Sequence, residues 1–248
     1  MLSSKSILST LSLHRRLDVA FALVIIMLIV STEYFFRHYV LLWFPQIGTL
    51  RVNDMISLFL AYFLLLVALG LVMGVNWDTE MSAVYRAVYE CITNWSYVPW
   101  IIAIVVNISI LSTLDRWLLS NLTIPVFESS HRNSTIWLPV LASPLKAISL
   151  VAVNGLFVPV AEEFLWRGIV QPRLARIFAL PIAIAITATL FSLKHVVIDG
   201  SFGRFLMAVG FGVICGMLAH RKGWTASAAL HTLINTVSSI AALAFGAV

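Results

Sequence analysis

The chain has 248 residues, of which 60% are hydrophobic and only 11% charged, with a formal net charge of +5. Its mean hydropathy is +0.97. A soluble domain carries about a quarter of its residues as charges, so the composition excludes a water-soluble enzyme and points to a protein of the bilayer. No basic stripe runs along the sequence, so the surplus of Lys and Arg speaks for membrane topology rather than nucleic-acid binding. Cys91 and Cys215 are too few for a disulfide framework or a thiolate metal cluster.

A membrane-spanning helix needs about 20 predominantly apolar residues. Seven such runs are legible, at 17–36, 55–75, 97–118, 144–171, 177–198, 203–220 and 225–246. The expectation is therefore an all-α, polytopic membrane protein of about seven helices (range 6–8), enclosing a polar cavity. The first run, "VAFALVIIMLIV", follows Lys5, Arg15 and Arg16 in the manner of a signal peptide. No A-x-A-like cleavage site comes after it, so it reads as a retained anchor.

Residues 1–143 read as three spans joined by loops of mixed polarity, with Asn107 the polar residue of note inside them. The longest polar loop, "NLTIPVFESSHRNSTIW" at 121–137, holds sequons at Asn121 and Asn133 but no acid/base cluster. The sequons matter only in a glycosylating host. No internal repeat, low-complexity tail or lipidation motif is visible. With the N-terminus on the cytoplasmic side, inner segments hold Lys5, Arg15, Arg16, Arg86, Arg173, Arg176, Arg221 and Lys222. Outer segments then hold Arg37, Arg51, Arg116, Arg132 and Arg204. The balance follows the positive-inside rule and puts the C-terminus outside.

The charges that look out of place collect in residues 144–247. The fourth run carries "VPVAEEFLWRGIV" (158–170), with Glu162, Glu163 and Arg167 inside an apolar stretch. A charge at the centre of a spanning helix costs about 2.5–3.5 kcal/mol on insertion scales, so three of them need a reason. Glu163 and Arg167 are four apart with the acid on the N-terminal side, the favourable order for an intrahelical ion pair. Glu162 and Arg167 are five apart and diverge by about 140°. Glu162 therefore needs a partner from another helix. A placement of all three at the membrane edge, solvated by headgroup water, is the alternative.

Two further constellations offer partners. "FSLKH" places Phe191 and His195 on one face of the fifth run, and "HTLIN" places His231 and Asn235 on one face of the seventh. Intramembrane ionisable residues generally face a cavity. A hairpin in "RIFALP" lies midway between Glu162 and His195 and puts both at about 20 Å from the turn, side by side. His231 reaches the same layer if the hairpin projects into the headgroups, which places the site in the cytoplasmic half of the bilayer. Pro159 follows Gly155 by four residues, and Pro172 follows Gly168 by four. Each proline removes a helix hydrogen bond and presses on the carbonyl four residues back, so the fourth helix is expected to bend on both sides of the charges.

In order, E-E-x-x-x-R ("EEFLWR"), F-x-x-x-H ("FSLKH") and H-x-x-x-N ("HTLIN") resemble the three motifs of the CAAX prenyl protease and bacteriocin-processing family, the glutamic-type intramembrane proteases. The resemblance covers about residues 140–240, so 144–247 is expected to be the catalytic core and 1–143 has no diagnostic feature. It implies an endopeptidase in which Glu162 with His195 activates a water, while His231 and Asn235 hold the developing oxyanion. Glu163 and Arg167 would support the site, Arg167 also positioning substrate, and Phe191 would wall it. The implied partner is a membrane-associated or lipidated peptide or protein, in the plasma membrane of a prokaryote. A non-proteolytic bacteriocin self-immunity or binding protein on the same fold stays open, as does a transporter with a buried proton-handling cluster. No cofactor is implied; zinc on two His and a Glu stays open beside metal-free hydrolysis. The sequence has no H-E-x-x-H, no G-x-S-x-G-like turn and no pair of aspartates within spans.

Overall fold

The computed structural model describes residues 4–40, 50–119, 121–122 and 144–245. The sequon at Asn133 and the cation Arg132 lie outside the described residues. Among the described residues, seven helices are long and apolar enough to cross a membrane: Arg15–His38, Met55–Met73, Trp95–Leu118, Ala147–Ala175, Leu180–Asp199, Phe205–Lys222 and Trp224–Ala244. The protein is an all-α, polytopic membrane protein, with spans close to those read from hydropathy.

We label the helices α1 (Ser4–His38), α2 (Leu50–Met73), α3 (Trp77–Thr93), α4 (Val98–Leu118), α5 (144–175), α6 (Leu180–Asp199), α7 (Phe205–Lys222) and α8 (Trp224–Phe245). Helix α5 is the centre of the bundle, packed against α1, α2, α6, α7 and α8. Its middle stretch is buried nearly without interruption from Val158 to Arg167.

Helix α3 is absent from the hydropathy reading because it is amphipathic rather than apolar. Val84, Ala87 and Cys91 form its buried stripe, at the three-to-four-residue spacing of one helix face. Asn76 caps its start, the Thr79 amide donating to Asn76 Oδ1 at 3.2 Å. Asp78 and Glu80 in the first turn complement the helix dipole. This helix packs along α8, and Trp77 meets Phe164 of α5 at 5.2 Å between ring centroids.

The bends expected in α5 take the form of π-helical turns, at Leu150–Phe157 and Phe164–Val170. Each runs directly into a proline-bearing α-helical turn, Val158–Glu163 with Pro159 and Gln171–Ala175 with Pro172. A wider i→i+5 turn is a way to seat a residue that lacks an N–H and crowds the carbonyl four residues back. Gly155 has a second use. A Cβ there would lie 3.3 Å from the Thr236 Cα, so its absence lets α8 approach, and Thr236 Oγ1 donates to the Gly155 carbonyl at 3.2 Å.

Two buried polar ties fix α7 against α4. Asp115 accepts from the Leu206 and Met207 amides, both at 2.8 Å, satisfying the first turn of α7 from a neighbouring helix. Asn107 donates to the Met207 carbonyl at 3.0 Å. Asn107 is therefore a structural tie, and it is not the only polar residue of note in the first three spans: Glu33, Ser57 and Asp115 are buried there as well.

Candidate functional site

The site grows from α5. Glu163 and Arg167 form the expected ion pair at 3.0 Å, with neither side chain exposed. The pair is held from three sides. Ser227 donates to Glu163 Oε2 at 2.7 Å, His231 Nδ1 lies 3.0 Å from Glu163 Oε1, and Arg167 donates to the Gly212 carbonyl at 3.1 Å. The guanidinium also lies over the Phe191 ring, 4.7 Å from its centroid. Gly212 is needed for this fit, because a Cβ there would sit 2.9 Å from the Ala188 Cβ and 3.3 Å from Arg167 Nη2.

Glu162, one residue back, points elsewhere, as its angular offset requires. Its contacts differ from the sequence expectation, which turned it toward His195. Lys194 Nζ donates to Glu162 Oε1 at 2.5 Å and Tyr62 Oη donates to the same oxygen at 2.9 Å. Residues 194 and 195 project about 100° apart on an α-helix, and the direct contact from α6 to Glu162 is made by Lys194. His195 instead lies edge-on to Phe191, 4.9 Å between centroids, with Arg204 Nη2 3.1 Å from its Nδ1. Arginine is a donor only, so Nδ1 accepts and the neutral ring carries its proton on Nε2. Arg204 is anchored by a second ion pair to Asp199 at the end of α6.

His231 is the residue common to both glutamates. Its Nδ1 faces Glu163, and its Nε2 lies 3.9 Å from Glu162 Oε2. The carboxylate of Glu163 can only accept, so the Nδ1 proton is donated to it and Nε2 faces Glu162. Asn235, one turn along α8, donates Nδ2 to the Asn154 carbonyl at 3.1 Å, on the first π-helical segment. Its amide has a second N–H beyond that bond. Phe191 stands between the two histidines, with its centroid 6.5 Å from that of His231.

The first two spans add residues that hydropathy alone hid. Glu33 of α1 is 2% exposed, and its Oε2 lies 2.9 Å from Lys194 Nζ. Tyr62 of α2, fully buried, has its hydroxyl 2.7 Å from Glu33 Oε2 as well, so its one proton is shared between the two carboxylates, and its oxygen accepts from Lys194 at 3.0 Å. Lys194 thereby spends its three ammonium donors on Glu33, Tyr62 and Glu162. The only sequence signals were Lys194 inside "FSLKH" and the i,i+4 spacing of Glu33 and Arg37, which the structure closes to 3.5 Å. Tyr62 had no local signal.

A cavity of about 360 Å³ opens beside the turn between α5 and α6. Arg176 and His220 stand at its exposed end, Arg167 and Gln171 at its buried end. Among the described residues, no three His, Cys, Asp or Glu side chains are grouped as a metal ligand set. The arrangement offers a buried carboxylate, two imidazoles and an amide, and of the site residues Arg167 is the one that reaches the cavity.

No curated protein and no solved structure matches the chain. Residues 144–237 match the family model "Type II CAAX prenyl endopeptidase Rce1-like", a stretch that contains all three motifs. Over those residues, which are fewer than half of the chain, the sequence is similar to the Rce1-like type II CAAX prenyl endopeptidases.

Proposed function

We propose that the protein is an intramembrane endopeptidase of glutamic type, hydrolysing a peptide bond of a membrane-associated or lipidated substrate. The observation that carries this reading is Glu162. It is a buried carboxylate whose second oxygen, Oε2, faces His231 Nε2 at 3.9 Å in the family-matched core. At more than 3.5 Å the two groups make no direct hydrogen bond, and the gap is where this reading seats the water.

In this reading Glu162 Oε2 takes a proton from water as the water oxygen bonds to the scissile carbonyl carbon. The carbonyl oxygen becomes an oxyanion. Glu162 then returns the proton to the departing amide nitrogen, leaving a carboxyl and an amine. A carboxylate held in low-dielectric surroundings is suited to general-base work. His195, with its proton on Nε2, orients the water toward Glu162. Asn235 supplies its second N–H to the oxyanion, and His231 does so when Nε2 carries a proton. Arg167 supports the site through Glu163 and reaches the buried end of the cavity, where it can position substrate. Donors of this kind are worth about 2.7–4 kcal/mol each in the transition state.

The basic turn Arg173–Arg176 and the pair Arg221 and Lys222 at the end of α7 support a cytoplasmic placement of that end of the bundle. The cavity then opens toward the cytoplasm, the N-terminus lies inside and the C-terminus outside. The test is a comparison of membrane peptides from cells carrying wild-type protein or Glu162→Ala. Peptides that appear with wild type alone support hydrolysis. Identical peptides, with target binding or peptide resistance retained by the variant, would support a non-proteolytic immunity protein instead.

A further inference from the structure

Lys194 lies fully buried between two carboxylates, Glu33 of α1 and Glu162 of α5. Tyr62 spans the same two groups with one hydroxyl proton. Neither Glu33 nor Tyr62 falls within the family-matched residues 144–237. The network therefore brings spans without a motif of their own into contact with the proposed base.

The charges around Glu162 can be paired off. Arg167 is met by Glu163 on the same helix. Lys194 approaches from α6, Tyr62 from α2 and His231 from α8, with Glu33 behind Lys194 on α1. Arg37, on the more exposed side of Glu33, is shared with Asp199 at 4.0 Å. A base must become neutral during turnover. If Glu162 were the sole counter-ion of Lys194, each protonation would strand an ammonium in low-dielectric surroundings, a state of high cost. A second carboxylate on Lys194 removes that obstacle.

We infer that Glu33, held by Tyr62, is the standing counter-ion of Lys194 and leaves Glu162 free to take up and return a proton. The inference rests on the peptidase reading, in which that proton leaves water as the C–O bond forms and reaches the amine nitrogen as the C–N bond breaks. Glu33 acts through Lys194 and is a positioning residue. Its effect is on the charge state available to Glu162 and not on substrate contact.

The test combines two readouts on purified, full-length protein in detergent. The first is the rate–pH profile on a prenylated, internally quenched peptide. The second is infrared titration of the Glu162 carboxyl band, identified by its loss in Glu162→Gln. In Glu33→Gln, Lys194 falls to Glu162 alone, so the acid limb and the band midpoint both move to lower pH, by about one unit or more for a charge at this distance. Removing both charges in Glu33→Gln/Lys194→Met returns both readouts close to wild type, a rescue that a purely structural role does not give. An unmoved limb and band in Glu33→Gln, or a double variant displaced further than the single one, overturns the inference. Should Glu33→Gln fail to fold, the double variant decides alone: a wild-type midpoint supports the inference and a displaced one overturns it. A wild-type protein that does not cleave the probe counts against the peptidase reading for this substrate class, while the infrared titration still decides the role of Glu33.

Discussion

Glu163 and Arg167 face one another at 3.0 Å, both fully buried, while Glu162 next door uses a different cation from a different helix. Adjacent carboxylates thus have separate cations, with His231 shared between them. Arg167→Ala leaves Glu163 as a buried charge with only Ser227 and His231 beside it, and breaking a buried pair in this way costs about 3–5 kcal/mol. Glu162→Gln leaves Lys194 paired with Glu33, so its melting temperature stays close to wild type while hydrolysis is lost. Thermal melts of the two variants in one detergent check this: equal melting temperatures would contradict the division of labour.

Asn235→Ala is expected to separate catalysis from stability. The variant loses one hydrogen bond to the Asn154 carbonyl, worth about 1 kcal/mol in folding. If the second N–H serves the oxyanion, kcat falls by about 100-fold to 1,000-fold. A kcat loss no larger than the stability loss implies would limit Asn235 to holding the π-helical segment.

The contact of α4 with α7 offers a test of the fold. A Cβ at Gly210 would lie 1.8 Å from Asn107 Oδ1 and 2.8 Å from Leu111 Cδ1. Gly210→Ala is expected to displace Asn107 from the Met207 carbonyl and cost about 1–3 kcal/mol, as overpacking of a tight contact does. Asn107→Ala in the same chain should recover part of that loss. Additive losses in the double variant would mean that the two residues do not meet.

Much of this was legible in the sequence because it is local. The spans follow from runs of apolar residues, and the Glu163–Arg167 pair follows from i,i+4 spacing on one helix. The prolines marked where α5 departs from α-helical geometry, though not that the departure would be two π-helical turns. The partners of Glu162 were not legible. Tyr62 lies 100 residues away in sequence, Glu33 still further, and Lys194 is masked by its neighbour His195 in the motif. Helix α3 escaped because its buried stripe of Val84, Ala87 and Cys91 is interleaved with charged residues, which lowers mean hydropathy without weakening the stripe.

Cys91 lies on α3, outside the seven spans, and burial pushes its thiol up to about 11, against the opposing pull of the Lys222 cation. The folded chain therefore keeps this proton through a pH range in which an unfolded thiol, near ~8.5, has lost it. Its contribution to stability is complete below the unfolded value and is lost as pH rises through about 11. Iodoacetamide at about pH 8 should leave Cys91 unmodified in folded protein and label it after denaturation. Mass spectrometry of the Cys91 peptide reads the outcome, and rapid labelling of folded protein would contradict the burial of α3 against α8.

Zinc was kept open from the sequence, on two His and a Glu. Hydrolysis through Glu162 alone predicts that prolonged chelation leaves the cleavage rate unchanged. Inhibition by chelator with recovery on added zinc would show that a metal takes part.

The central claim is that water activated at Glu162 becomes part of the product. Incubating purified protein with its membrane peptides in oxygen-18 water, followed by mass spectrometry of new C-termini, tests this directly. The account predicts one heavy oxygen at each new C-terminus with wild type and no new termini with Glu162→Gln of equal thermal stability. New labelled termini produced equally by the folded Glu162→Gln variant would contradict it.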